Sequence, residues 1–149
     1  MPIGEICNRE VIVVQRDDTV LQAAKLMRQH HVGNVVVVKG RNNSRVPIGI
    51  VTDRDVVIEL VAPELDPAVM TVGDIMVPEL ASVQENYGVL EAIQYMRGKG
   101  VRHLPVVDKG GRLTGIVTLD DLLILLAEEL GALAKLVARE QEKEVSSRP

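Results

Sequence analysis

Gly49-Ile50-Val51-Thr52-Asp53-Arg54-Asp55 and, further along, Gly115-Ile116-Val117-Thr118-Leu119-Asp120-Asp121 are two copies of one pattern. In each, a glycine opens a β-branched pair, the run ends on threonine, and an aspartate stands three residues later. β-Branched residues favour a pleated strand, and threonine favours the start of a helix, so each copy reads as a strand turning into a helix. Working outward, one constant displacement lays Ile3-Gly4-Glu5-Ile6 on Val72-Gly73-Asp74-Ile75 and Val20-Leu21-Gln22-Ala23 on Val89-Leu90-Glu91-Ala92. It also lays Met27-Arg28 on Met96-Arg97, Val32 on Val101 and Val37-Val38 on Val106-Val107. The register then slips in the polar turn Gly40-Arg41-Asn42-Asn43-Ser44-Arg45, which is longer in the first copy, and resumes at the quoted stretches. Length variation confined to a polar turn is what duplicated folded units tolerate.

Each unit reads alike. A short helical start, with Thr71 as N-cap and Asp74 at N3 in the second copy, leads into a strand at 11–14 or 81–83. An amphipathic helix follows. Val20, Ala23, Ala24 and Met27 stand at i, i+3, i+4 and i+7, and Val89, Ala92, Ile93 and Met96 repeat that spacing. Strands at 35–38 and 48–51, or 104–107 and 113–117, precede a last helix starting near Asp53 or Leu119. One β-α-β-β-α unit has too few elements to close a core, so two should pack with pseudo-two-fold symmetry in a mixed α/β (α+β) fold. The expected division is 1–62 for the first repeat, a Pro63- and Pro67-containing linker at 63–69, 70–128 for the second, and a helical extension at 129–149.

Composition narrows the function. The 149 residues are 46% apolar, enough for a core without disulfides, and the single Cys7 has no partner for one. A net charge of −4 argues against a broad grip on nucleic acid, and two tyrosines with no Phe or Trp leave no base-stacking platform. No apolar run approaches the roughly 18 residues of a membrane span. The stretch Met1-Pro2-Ile3-Gly4-Glu5 lacks the basic and apolar regions of a signal peptide, so a cytoplasmic location is expected. No P-loop, Gly-x-Ser-x-Gly or His-Glu-x-x-His motif occurs, and no catalytic residue is assigned.

The tandem units, their Gly-apolar-apolar-Thr-x-x-Asp junctions and the stretch Val101-Arg102-His103-Leu104-Pro105-Val106-Val107-Asp108 together resemble the CBS domain pair, or Bateman module. The resemblance covers residues 1 to about 128 and is closest to stand-alone, bacterial-type CBS proteins. It implies a regulatory module, not an enzyme, that takes an adenosine-containing ligand such as AMP, ADP, ATP or S-adenosylmethionine. No other cofactor is implied.

The junction chemistry supports two readings. A threonine at a helix start stands beside unpaired backbone N–H groups that suit an anion, and an aspartate one turn on can accept both hydroxyls of a ribose. Alternatively, Thr52 and Asp55 simply cap the helix. In CBS pairs the junction of one repeat faces strand ends of the other. Carried over, a first cleft joins Thr52, Arg54 and Asp55 to Ser82, Arg102, His103 and Leu104. A weaker second cleft joins Thr118 and Asp121 to Val13, Gly33, Asn34 and Val35. Positive charge at Arg54 and Arg102 favours phosphate in the first, whereas Asp120 repels it in the second.

His30 and His31 point about 100° apart on a helix and are read as a solvated helix end, with metal or redox sensing through them or Cys7 as the minor alternative. From Asp120 onward the pattern is helical beyond what the repeat needs. Leu123, Leu126, Leu130, Leu133 and Val137 form a heptad-like stripe, while Leu122, Leu125 and Leu136 lie on another face. Such a helix is expected to make a homodimer contact, and residues 141–149 to fray. The expected function is an adenosyl-ligand sensor that signals by conformation; the alternative is a ligand-independent dimerisation or protein-interaction scaffold.

Overall fold

The computed structural model describes residues 1–148. In order, the elements are α1 (Ile3–Ile6), β1 (Val13–Gln15), α2 (Val20–His30), β2 (Asn34–Lys39), β3 (Val46–Thr52) and α3 (Asp53–Val56). α3 runs on into a wider, π-type turn at Val57–Val61. Then follow α4 (Val72–Ile75), β4 (Val83–Gln84), α5 (Val89–Lys99), β5 (His103–Val107), β6 (Leu113–Thr118) and α6 (Leu119–Ser147). This is the expected doubled β-α-β-β-α order, in two three-stranded sheets, β1-β2-β3 and β4-β5-β6. Residues 1–117, which hold both sheets except for the last residue of β6, form one compact unit, and the chain from Thr118 onward is a second.

Local signals set the boundaries. Thr19 and Gln22 close a reciprocal capping box: the Gln22 N–H donates to Thr19 Oγ1 at 3.1 Å and the Thr19 N–H to Gln22 Oε1 at 2.8 Å. α2 stops at His31, which adopts a left-handed φ of 54°, and α5 stops at Gly100 in the same conformation. His30 and His31 are both exposed, as a solvated helix end requires. The first strand of each repeat begins later than the apolar pattern suggests. β1 and β4 are edge strands, and they pair only over short stretches, Val13 with Val36 through Gln15 with Val38 and Val83 with Val106 through Gln84 with Val107.

β2 is buried on both faces, which explains its unbroken valines. Val35 and Val37 point into a core with Val20, Ala23 and Met27 of α2. Val36 and Val38 point the other way and meet Leu113 and Ile116 of β6. The two sheets thus pack face to face, as the pseudo-symmetric reading requires.

The leading helices are exchanged. Val72 and Ile75 of α4, which begins the second repeat, are buried in the core of the first. The Val72 N–H donates to Asp18 O at 2.8 Å and the Gly73 N–H to Arg16 O at 3.0 Å. Reciprocally, the Ile3 N–H donates to Tyr87 O at 2.6 Å and the Gly4 N–H to Glu85 O at 3.0 Å. Val20 reaches back to Met70 O at 2.9 Å, and its counterpart Val89 to Met1 O at 3.0 Å. Every one of these bonds has its pseudo-symmetric mate.

Close approach explains the glycines. A Cβ on Gly73 would lie 2.6 Å from Arg16 Cγ and 3.0 Å from Arg16 O, and one on Gly4 would lie 2.9 Å from Glu85 Cβ. The glycines that open the two junctions obey the same logic. Gly49 lies against Met76 and Gly115 against Cys7, each the residue that follows an exchanged helix. Cys7 is thus a packing residue. Burial pushes its thiol above the ordinary value, with Arg9 pulling weakly the other way. Arg9 itself ties the repeats together, donating to Glu85 Oε1 at 2.7 Å, Gly4 O at 2.6 Å and Thr114 O at 3.2 Å.

Replacing Gly73 by Ala should destabilise the protein by about 1–3 kcal/mol through overpacking. Gly98→Ala in α5, where nothing lies within 4 Å of the added carbon, should stabilise it by about 0.5–1 kcal/mol. Urea titration of both variants checks the contrast. Cys7 should alkylate at neutral pH more slowly than a peptide thiol, and full reactivity should return in denaturant.

Candidate functional site

At the junction of the first repeat, Thr52 ends β3 and caps α3. The Asp55 N–H donates to Thr52 Oγ1 at 3.1 Å, and the Thr52 N–H donates to Asp55 Oδ2 at 2.9 Å. Thr118 and Asp121 make the same box at the start of α6, with distances of 3.2 and 3.0 Å. Capping is therefore a real task of both Thr-x-x-Asp pairs. It also holds the Asp55 carboxylate in one orientation while engaging only Oδ2.

The backbone N–H groups expected to be free for an anion at this helix start are already bonded. The Asp53 N–H donates to Gly33 O at 2.9 Å, the Arg54 N–H to Asp53 Oδ1 at 2.9 Å, and the Asp55 N–H to Thr52 Oγ1. The first turn of α3 is satisfied by the protein itself, so positive charge at this site has to come from side chains.

A pocket of about 480 Å³ opens beside the junction. Ile50, Thr52, Asp53, Arg54 and Asp55 form one wall; Val77, Glu79, Leu80 and Ala81 form another; Gly100, Val101, Arg102 and His103 complete it. Of the residues assigned to the first cleft, Thr52, Arg54, Asp55, Arg102 and His103 are thus brought together. Leu104 is fully buried in the core behind them, and Ser82 lines a different hollow of about 560 Å³ with Gln84, Tyr87, Glu91 and Tyr95. Ala81 takes the place expected for Ser82, because the strand to which Ser82 leads starts only at Val83.

The sequence reading expected aliphatic Val and Ile side chains in the cleft, but it missed Asp53 and Glu79. The segment from Val77 to Ala81 reaches the pocket because α4 is packed on the first repeat, and no local motif announces that. Three carboxylates, Asp53, Asp55 and Glu79, and two guanidinium groups, Arg54 and Arg102, line the same pocket. Val13 lies on β1, while Gly33, Asn34 and Val35 lead into and open β2, with the Gly33 carbonyl committed to Asp53. Among the described residues, no group of three or more His, Cys, Asp or Glu is placed to hold a metal, and no helix is long and apolar enough to cross a membrane.

Comparison with known proteins agrees with this geometry. The family model described as CBS domain matches residues 3–62 and again 72–128. The chain belongs to the CBS domain family. An uncharacterized protein of Methanopyrus kandleri is 41% identical over 121 residues, which are 81% of this chain and 60% of that relative; the chain thus spans less than two thirds of its length. Among solved structures, a protein with CBS domains from Burkholderia ambifaria superposes with a TM-score of 0.75 at 30% identity, covering 85% of this chain and 93% of that one. A CBS domain protein of Pyrobaculum aerophilum complexed with AMP gives 0.74 at 25% identity, covering 86% and 99%. In CBS terms, the exchange of α1 and α4 is what makes the two repeats a single pair.

Because both CBS junctions are capping boxes, Asp55→Ala and Asp121→Ala should each lose about 0.5–2 kcal/mol of stability without any ligand present. Thermal and urea unfolding of the two variants measure this. Asp55→Asn, whose amide oxygen can still accept from the Thr52 N–H, should lose less.

Proposed function

We propose that the pocket beside Thr52 and Asp55 binds an adenosine-containing regulatory ligand, and that the protein is a non-catalytic cytoplasmic sensor working as a homodimer. The observation that carries this reading is the meeting, in one pocket, of a held carboxylate at Asp55 with two guanidinium groups and an aliphatic wall. A carboxylate oriented by its capping bond accepts the two ribose hydroxyls. Arg54 and Arg102 answer a phosphate, and Ile50, Val77, Leu80 and Val101 cover the faces of an adenine ring without aromatic residues. The pocket volume lies within the range of nucleotide-sized sites.

Charge refines the ligand class. Asp53 and Glu79 oppose the two arginines, so AMP or the sulfonium of S-adenosylmethionine suits the pocket better than the triphosphate of ATP. The pocket joins residues of both repeats, so a ligand there biases their packing, and a partner reads the change. The AMP-bound relative from Pyrobaculum aerophilum supports the ligand class.

The second reading is a ligand-independent scaffold, favoured by the exposed leucines of α6. A thermal-shift titration with AMP, ADP, ATP and S-adenosylmethionine separates the two. A ligand at about 100 times its Kd should add roughly 2.7 kcal/mol, a rise on the order of 5–10 °C. Asp55→Asn and Arg102→Ala should abolish the rise, each measured against its own ligand-free baseline. No rise with any of the four compounds rejects the sensor reading and leaves the scaffold.

A further inference from the structure

Both tyrosines of the chain meet in a place that the junction pocket does not use. The hollow of about 560 Å³ beside the edge strand β4 and α5 is lined by Tyr87 and Tyr95, with Ser82, Gln84, Asn86 and Glu91. The sequence holds no Phe or Trp, so its only benzenoid rings both line this one hollow. Among the described residues that line it, Glu91 alone is charged, and none is a lysine, arginine or histidine. The fold does not demand this set. At the corresponding places of the first repeat, Asp18, Gln22 and Leu26 stand for Tyr87, Glu91 and Tyr95. Gln22 closes the capping box with Thr19, whereas Gly88, the N-cap of α5, has no hydroxyl and forms no side-chain cap. Glu91 is thereby released from capping. The backbone of Tyr87 is fixed by α1, since its carbonyl accepts from the Ile3 N–H at 2.6 Å. Tyr87 is 39% exposed and Glu91 is exposed too, so a dissolved ligand reaches both.

The geometry points to a second binding site in this hollow, one that takes a small organic cation with an ammonium head. The electron-rich faces of tyrosine rings attract a cation, and a carboxylate beside them adds a full opposite charge. One ring already shows this: Lys99 Nζ lies over Tyr95, 5.9 Å from its centroid. Lys99 is exposed and stands one turn beyond Tyr95 on a flexible stem, so a ligand of the same chemistry can displace it. Ser82, Gln84 and Asn86 supply oxygens for ammonium N–H groups or for a hydroxyl on the ligand. A phosphate meets no opposite charge among these residues, so the ligand differs in charge from a nucleotide. The hollow shares no residue with the junction pocket, and its occupancy is independent of the adenosyl reading.

The test follows the ring protons of Tyr87 and Tyr95 by NMR, which stand apart because the chain has no Phe or Trp. The full chain is titrated with choline chloride and with butylammonium chloride, against sodium chloride at equal ionic strength. At least one of the two ammonium salts should move both tyrosine signals saturably, and sodium chloride should not. The uncharged counterparts, pentanol for butylammonium and the tert-butyl analogue of choline, should bind about tenfold more weakly, a comparison that needs no variant. Glu91→Gln and Tyr95→Leu each introduce the residue found at the corresponding place of the first repeat. Each should weaken binding by about tenfold or more, and should leave unchanged whatever response the parent gives to AMP. Lys99→Met removes the internal competitor and should strengthen binding severalfold. Tyrosine signals that saturate with neither ammonium salt, equal binding of the uncharged counterparts, or binding that Glu91→Gln and Tyr95→Leu leave untouched overturns the site.

Discussion

The structure depends on the reciprocal loan of two short helices. α1 and α4 are one turn long and could not persist alone, because a single turn fixes several dihedrals for one hydrogen bond. Each is held by backbone bonds to the opposite repeat, Ile3 and Gly4 to Tyr87 and Glu85, Val72 and Gly73 to Asp18 and Arg16. Each also delivers buried side chains: Ile3 is wholly buried, and Val72 and Ile75 complete the core under the first sheet. The CBS pair is therefore one cooperative object, in which neither repeat owns all of its own interior.

That exchange also explains how a capping motif comes to line a pocket. Thr52 and Asp55 do local work that any helix start needs. What turns the location into a recess is the chain leaving α4, which brings Val77 to Ala81 across the junction, and the turn from Gly100 into β5, which brings Arg102 and His103. A capping box makes a good floor for such a recess, since its side chains are already fixed before anything binds and lose little freedom on contact.

Much of this was readable in the amino-acid order. The duplicated valines, the i, i+3, i+4, i+7 stripes of α2 and α5, and the Thr-x-x-Asp pairs located every main element, because burial on one face and capping are local demands with a sequence period. Five members of the first cleft were named from the family resemblance and do line one pocket. What escaped was set by tertiary packing. The availability of the α3 backbone N–H groups could not be judged without seeing Gly33 and the Asp53 side chain fold over them. Ser82 and Ala81 are neighbours in sequence, and which of the two faces the pocket depends on where a two-residue edge strand begins. Glu79 entered the site only because its segment follows a helix packed on the other repeat.

The exchange has a temporal side. The residues that grip α1 lie more than eighty positions downstream, and the core of the first repeat stays open until α4 has been made. Contacts of such long sequence separation close large loops before they are rewarded, which slows folding relative to a chain of local hairpins. During synthesis, the first sheet would wait with the Val36 and Val38 face of β2 uncovered and the α2 side of its core still lacking Val72 and Ile75, an exposed apolar strand of the kind that invites mispairing. The pair thus becomes safe from aggregation only when its second half arrives, so a pause in translation between the repeats is the most hazardous moment in the life of this chain.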